Sequence, residues 1–144
     1  PRCHVRILLA ALLLTLIGCS AQPPPAGAPP RSWLGMDPGD VRSYEGPGGP
    51  LVLLVADETY WIHGRYASAL IWKHGSQYTT DYWLQDDDGT VWWYGRKGSW
   101  RAGRHGASPR RVAIADDVAR FGDRSITLSD DGPVQLETPD GIYR

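Results

Sequence analysis

The chain has 144 residues, and its 15 Lys and Arg side chains are balanced by 16 Asp and Glu. This near-neutral charge argues against nucleic acid as a partner, because domains that bind nucleic acid carry a basic excess. The length fits one small domain. With only two cysteines, the sequence offers no disulfide framework, so a folded domain depends on its apolar core.

The N-terminal segment has the organisation of a signal peptide. Arg2 and Arg6 give it a positive start, and an apolar run extends from Ile7 to Ile17. Because a transmembrane helix needs about 20 apolar residues, this run is too short to span a membrane. The segment therefore predicts export of the chain.

The apolar run ends in Leu16-Ile17-Gly18-Cys19, which resembles the lipobox of bacterial lipoproteins. In that motif the cysteine is acylated through sulfur and becomes the first mature residue, so the resemblance implies a lipid on Cys19. The two chains of a diacylglyceryl group anchor a protein firmly, whereas one chain binds only marginally. An ordinary secretory leader cut near Gly18 to Ala21 is the alternative, and both interpretations export the chain.

These features divide the chain into three parts. Residues 1–18 form the expected lipoprotein signal peptide, residues 19–31 the lipidated Cys19 with a Pro-rich tether, and residues 32–144 the folded domain. The tether sequence AQPPPAGAPP favours extended polyproline geometry at about 3.1 Å per residue, so it spans roughly 30 Å. The expected location is the extracytoplasmic side of the cell envelope, with the membrane as a partner through the lipid.

Processing of the leader changes both the thiol content and the charge. Cys3 leaves with the leader and Cys19 carries the lipid, so the mature domain has no cysteine for a disulfide, a nucleophile or a metal site. Loss of Arg2 and Arg6 leaves 13 basic against 16 acidic side chains, a net charge near −3. This balance again argues against nucleic acid as a partner.

The domain itself is predicted to be all-β, because segments rich in β-branched and aromatic residues alternate with Gly, Pro and Asp turns. Strands this short must close on one another to bury a face, which predicts a small antiparallel sandwich or barrel built from hairpins. Only Ile114 to Phe121 has room for a helical turn or two. The predicted strands are Val41 to Glu45, Leu51 to Asp57, Tyr60 to His74, Gln77 to Gln85, Thr90 to Gly95, Arg111 to Ala115, Arg124 to Leu128 and Val134 to Glu137.

One hairpin is specified in detail by Asp86-Asp87-Asp88-Gly89-Thr90. This sequence suits a type I turn that ends in a left-handed glycine, and it predicts a three-residue loop with a bulge. A two-residue Asp88-Gly89 turn is the alternative and would shift the pairing by one. The predicted pairs are Gln85 with Val91, Leu84 with Trp92, Trp83 with Trp93 and Tyr82 with Tyr94.

The same hairpin resembles a recurring segment of small secreted bacterial lipoproteins, with the pattern D-Y-x-A-Q-D-x-D-G-N-V-W-Y-x-G-E followed by G-S-W-x-A-G. The matching residues are Asp81 to Gly95 and then Gly98 to Gly103, about a third of the mature domain. The chain departs from the pattern at Leu84, Thr90 and Arg96, where the pattern has Ala, Asn and Glu. The resemblance implies export and a β fold, and it implies no catalytic residue.

Catalytic and metal sites find little support in the sequence. A calcium loop around Asp86 to Asp88 would need further acids at positions 84 and 95, which are Leu84 and Gly95. The domain's histidines, at positions 63, 74 and 105, are too far apart for a zinc motif. No serine lies in a G-x-S-x-G elbow, and no carboxylate pair stands out as acid and base. We therefore expect no metal, no cofactor and no catalytic residue.

The aromatic composition is the first feature that points to binding, since seven Trp and seven Tyr accompany a single Phe. Such side chains combine an apolar body with a polar group and suit half-wet surfaces. Both faces of the predicted hairpin are aromatic, so it lies inside a closed structure or presents one face for contact. Trp83 and Trp93 are the pair that we expect to be exposed, with burial in the core as the alternative.

A basic segment is the second such feature, because Arg96 to Arg111 contains six Lys and Arg side chains and no acid. Arg101 and Arg104 at its centre join Trp83 and Trp93 as candidate binding residues. The segment is either a solvated loop that pairs with acids such as Asp116, Asp117 and Asp123, or a surface attracted to lipid headgroups or wall phosphates.

Together these features predict a lipid-anchored domain of the cell envelope that binds or scaffolds rather than catalyses. Its expected partner, besides the membrane, is a glycan or a protein of the envelope. An accessory or inhibitor lipoprotein that docks onto an exported enzyme is one alternative, and an enzyme of unrecognised type is another.

Overall fold

The computed structural model describes residues 32–144. The predicted leader, Cys19 and the Pro-rich tether lie outside the described residues. Within 32–144 the chain forms twelve β-strands in two antiparallel sheets and no helix, and accordingly this part of the chain contains no helix that could cross a membrane. The predicted all-β class, built from antiparallel hairpins, is confirmed.

Each sheet follows the order of the chain. The first sheet has seven strands in the order β1-β2-β3-β4-β5-β6, with β7 also paired to β5: β1 (Val41–Tyr44), β2 (Leu51–Ile62), β3 (Arg65–His74), β4 (Gln77–Gln85), β5 (Val91–Arg96), β6 (Trp100–Arg101) and β7 (Arg110–Arg111). The second sheet has five strands in the order β12-β11-β10-β9-β8: β8 (Ala113–Ala115), β9 (Val118–Phe121), β10 (Arg124–Ser129), β11 (Gly132–Thr138) and β12 (Gly141–Tyr143).

Tight turns with left-handed residues account for two differences from the sequence prediction. Tyr60 to His74 is predicted to be one strand, but His63 (φ 48°) and Gly64 (φ 78°) form a two-residue turn between β2 and β3. Ile114 to Phe121 is the one segment with room for a helical turn, but Asp116 (φ 50°) and Asp117 (φ 60°) form the same kind of two-residue turn there, between β8 and β9. Two consecutive left-handed residues match the right-handed twist of the flanking strands, and Gly and Asp tolerate them best.

The hairpin of β4 and β5 confirms the predicted turn. The Gly89 amide donates to the Asp86 carbonyl at 2.9 Å, the Asp86 amide donates to the Thr90 carbonyl at 2.8 Å, and Gly89 is left-handed with φ 87°. The first three predicted pairs, out to Trp83 with Trp93, are present. The fourth is wrong, because Tyr82 pairs with Gly95. Tyr94 is an extra residue in β5, and the bulge is accommodated by Gly95 with φ 137°.

The expected exposure of Trp83 and Trp93 is also wrong. Their residual exposures are 5% and 7%, and they lie in a core to which both sheets contribute. The second sheet covers the hairpin face that carries them. The opposite face, with Tyr82 and Tyr94, is buried as well, under a separate cluster that includes Ile62 of β2 and Ala102 after β6. The hairpin therefore lies inside a closed structure, the alternative that the sequence left open.

The two sheets are joined along both sides. On one side, the backbone of Glu45 after β1 exchanges two hydrogen bonds of 2.9 Å with Arg144 after β12. On the other side, the chain passes from β7, paired with β5, to β8, paired with β9, and the buried Val112 between them donates to the Val91 carbonyl at 2.9 Å. This closure leaves few strand edges open to solvent.

The turn at Gly89 provides a test of the fold. Gly89→Val is expected to reduce the free energy of unfolding by about 1–2 kcal/mol, because a β-branched residue is strained at positive φ. A Cβ at this position would meet nothing within 4 Å, so the loss reflects backbone strain alone. Gly89→Asn is the matched control and should lose much less, since Asn adopts this conformation more readily. Equal urea midpoints for the parent and the Val variant would contradict the described turn.

Candidate functional site

A buried carboxylate is the most unusual polar feature of the domain. Asp81 of β4 has no exposed surface, because strand alternation places it on the inner face with Trp83. Its Oδ1 accepts from Trp93 Nε1 at 3.0 Å and Arg96 Nε at 2.9 Å. Its Oδ2 accepts from Trp72 Nε1 at 3.1 Å and Arg96 Nη2 at 3.2 Å. Four donors therefore saturate the two oxygens, and we call this group the Asp81 cluster.

Arg96 extends the Asp81 cluster to the second sheet. Its Nη1 donates to Asp123 at 2.6 Å and its Nη2 donates to the Phe121 carbonyl at 3.2 Å. Burial raises the pKa of Asp81, against the opposing influence of the Arg96 guanidinium. For Asp123 burial acts in the same direction, but the Arg96 hydrogen bond and the Arg124 charge hold its pKa below the usual value. The cluster thus has a structural role, since the Asp81 oxygens are fully occupied and enclosed.

The Asp81 cluster predicts a large difference between two acids that both bind Arg96. Asp81→Asn should lower the free energy of unfolding by about 3 kcal/mol or more, because it leaves the partly buried Arg96 without its main counter-charge. Asp123→Asn is the control, with a side chain that is 51% exposed, and it should cost about 1 kcal/mol or less. Urea denaturation measures both values, and losses of the same size would show that Asp81 is not the dominant partner.

A basic cleft is the second polar feature, and we use this name for the concave site between the β5–β6 turn and the loop after β6. Its volume is about 530 Å³, within the range of small-molecule sites, which is roughly 300–1,000 Å³. No acid lines it. The polar and aromatic side chains at its surface are Tyr82, Arg96, Lys97, Ser99, Trp100, Arg101, Arg104 and His105.

Consecutive turns bring these cations together. In the β5–β6 turn the Ser99 amide donates to the Arg96 carbonyl at 3.0 Å. In the loop after β6 the Arg104 amide donates to the Arg101 carbonyl at 3.1 Å, and the Ala107 amide donates to the Arg104 carbonyl at 3.0 Å. Because these backbone groups are bonded within the loop, its cationic side chains project from an ordered backbone.

Gly95 allows Arg101 to lie against the sheet. Tyr82, Gly95 and Arg101 are neighbours across three strands, and the Arg101 guanidinium lies over the Tyr82 ring with Cζ 5.1 Å from the ring centroid. A Cβ on Gly95 would overlap the carbonyl oxygen of Trp100. The missing side chain therefore permits both the bulge and the close approach of β6, which gives Arg101 its cation–π contact.

The charge of the basic cleft is mostly uncompensated. Arg96 is occupied by Asp81 and Asp123, which confirms for one residue that the basic segment pairs with nearby acids. Among residues 32–144, the side chains of Lys97, Arg101 and Arg104 form no ion pair and no side-chain hydrogen bond. Three cations thus line one concave site without a carboxylate partner.

The structure separates the residues that the sequence grouped as binding candidates. Arg101 and Arg104 line the same cleft. Trp83 and Trp93 lie in the core, so they cannot form a binding surface. Sequence reasoning did not select Lys97 or His105 for this site. The signal that could have found them is the spacing of Gly98, Gly103 and Gly106, which indicates successive turns within the basic segment.

The described residues contain no group of three or more His, Cys, Asp or Glu side chains placed to hold a metal ion. Comparisons with protein-family models, with curated proteins and with solved structures found no match to this chain.

Proposed function

We propose that the protein is a lipid-anchored, non-catalytic domain of the cell envelope that binds an anionic ligand in the basic cleft. The observation that carries the proposal is the set of unpaired cations, Lys97, Arg101 and Arg104, in one concave site that no acid lines. Positive charge concentrated in a cleft attracts anions more strongly than the same charge spread over a convex surface.

The net charge of the domain strengthens the argument from the clustered cations. The expected mature protein is acidic by about three charges, yet the basic cleft carries the opposite sign. A uniformly solvated surface would mix both signs, so a segregated cationic site in an acidic domain favours a binding role. The lipobox resemblance at Cys19 and the short apolar leader support an envelope location.

The proposed lipid anchor on Cys19 predicts that its removal changes the location of the protein. Cys19→Ala is expected to abolish acylation, so the protein is released from the membrane or remains unprocessed, because no other cysteine follows the leader. Membrane fractionation combined with labelled palmitate measures the effect. Cys3→Ala is the matched control and should leave labelling unchanged. A Cys19→Ala protein that stays on the membrane and is cleaved at the same place as the parent would contradict the lipoprotein assignment.

The basic cleft predicts that charge reversal weakens binding to the envelope. Arg101→Glu combined with Arg104→Glu should reduce retention on isolated envelopes by about tenfold or more, since each basic group near an anionic surface contributes about 1 kcal/mol. The double control is Lys73→Glu with Arg120→Glu, which makes the same change in net charge at exposed positions outside the cleft and outside the basic segment.

Sedimentation of the purified protein with envelopes, at low and at raised salt, measures this difference. Salt should weaken the parent more than the cleft variant, because the variant lacks the charges that salt screens. Equal losses in both double variants would assign the effect to overall charge and would contradict a role for the basic cleft.

A further inference from the structure

The Arg101 guanidinium is held in place without a carboxylate. Its contact with the Tyr82 ring fixes the cation, and among the described residues its guanidinium forms no ion pair with a carboxylate. Stacked guanidinium groups keep their N–H edges available for oxygen acceptors, whereas salt-bridged ones do not. The Arg101 guanidinium is therefore positioned to bind an oxyanion that comes from outside the domain.

The number of cations indicates which oxyanion fits. A carboxylate is planar, carries one charge and is satisfied by a single guanidinium fork. The basic cleft offers Lys97 from the β5–β6 turn, Arg101 from the end of β6 and Arg104 from the loop after it, so its charge exceeds what one carboxylate can neutralise. A phosphoryl group carries up to about two charges on three acceptor oxygens that point in different directions, which suits cations that approach from two separate turns.

From these observations we propose that the basic cleft is a phosphoryl-binding site, with Arg101 and Arg104 as the principal ligands of the phosphate oxygens and Lys97 as a further counter-charge. The inference rests on the proposed function, because it names the chemical class of the anionic ligand. The concave shape suits a single phosphoryl group on a small molecule, on one unit of a phosphate-bearing polymer, or on one lipid headgroup.

The test uses the full acylated chain, purified in a neutral detergent and titrated by calorimetry with inorganic phosphate and with acetate at matched ionic strength. Phosphate is expected to bind saturably and at least about tenfold more tightly than acetate, because it engages more charged donors. Arg101→Lys keeps the charge but loses the guanidinium fork, so it should weaken phosphate binding severalfold while leaving the weak acetate binding nearly unchanged. Arg120→Lys on β9 is the matched control and should bind phosphate like the parent.

Two further probes distinguish the sources of the phosphoryl group. Competition by glycerol 3-phosphate, with no added affinity for vesicles of phosphatidylglycerol over vesicles of phosphatidylcholine, would support a soluble or polymer-borne phosphate. Tighter binding to the phosphatidylglycerol vesicles, lost in Arg101→Lys, would support a lipid headgroup. Thermal melting of each variant shows whether it is folded, and Arg104→Lys provides a second, exposed position if Arg101→Lys fails to fold.

Acetate binding as tight as phosphate binding, or an unchanged phosphate affinity in both lysine variants, would overturn the phosphoryl assignment. If the charge-reversed cleft still loses retention on envelopes in that case, the proposed function stands and only the ligand class is wrong. If the charge-reversed protein is also retained like the parent, both proposals fail.

Discussion

The structure depends on one buried charge, the carboxylate of Asp81. A carboxylate without partners would cost several kcal/mol in this position, and its four hydrogen bonds from Trp72, Trp93 and Arg96 compensate that cost. They also fix the orientation of two core indoles, and Arg96 in turn donates to Asp123, which lies between β9 and β10 of the second sheet. One acid thereby organises the core and connects the two sheets.

The same interaction determines the charge of the basic cleft. Arg96 belongs to the cationic segment that forms this cleft, but its guanidinium is committed to Asp81 and Asp123. Asp81 and Asp123 are therefore both paired with Arg96, and Lys97, Arg101 and Arg104 have no carboxylate partner among the described residues.

The aromatic composition also has an internal explanation. Tyr and Trp can donate a hydrogen bond from the edge of an apolar ring, and five of these side chains do so within the described residues. The buried Nε1 atoms of Trp33, Trp83 and Trp100, in contrast, have no partner. The Tyr44 hydroxyl donates to the Pro133 carbonyl at 2.9 Å, and the Tyr143 hydroxyl donates to the Pro47 carbonyl at 3.0 Å. Each of these bonds joins a segment near the first sheet to one in the second. Part of the Tyr and Trp content therefore supplies directional bonds at the seam between the two sheets.

The sequence predicts the local structure of the hairpins better than the packing of the two sheets against each other. Turn chemistry around Gly89 and alternation along β4 and β5 were sufficient for the hairpin and for its register as far as Trp83 with Trp93. The bulge at Tyr94 was not predicted, although a glycine inside a strand, here Gly95, often marks one. Alternation also placed Trp83 and Trp93 on one face correctly, but only the position of the second sheet decides that this face is inside. The cationic loop could be recognised in the sequence, whereas the absence of carboxylates around it required the folded structure.

The order of the strands has a consequence for how the domain folds. Within each sheet nearly every pair of hydrogen-bonded strands is consecutive in the chain, and the two-residue turns keep their contacts local. Proteins with local contacts fold faster than those with distant pairings, so we expect this domain to refold faster than Greek-key sandwiches of similar size in stopped-flow experiments. The backbone pair between Glu45 and Arg144 joins the end of β1 to the last residue of the described chain. It carries the largest loop-closure entropy and should form last, after both meanders.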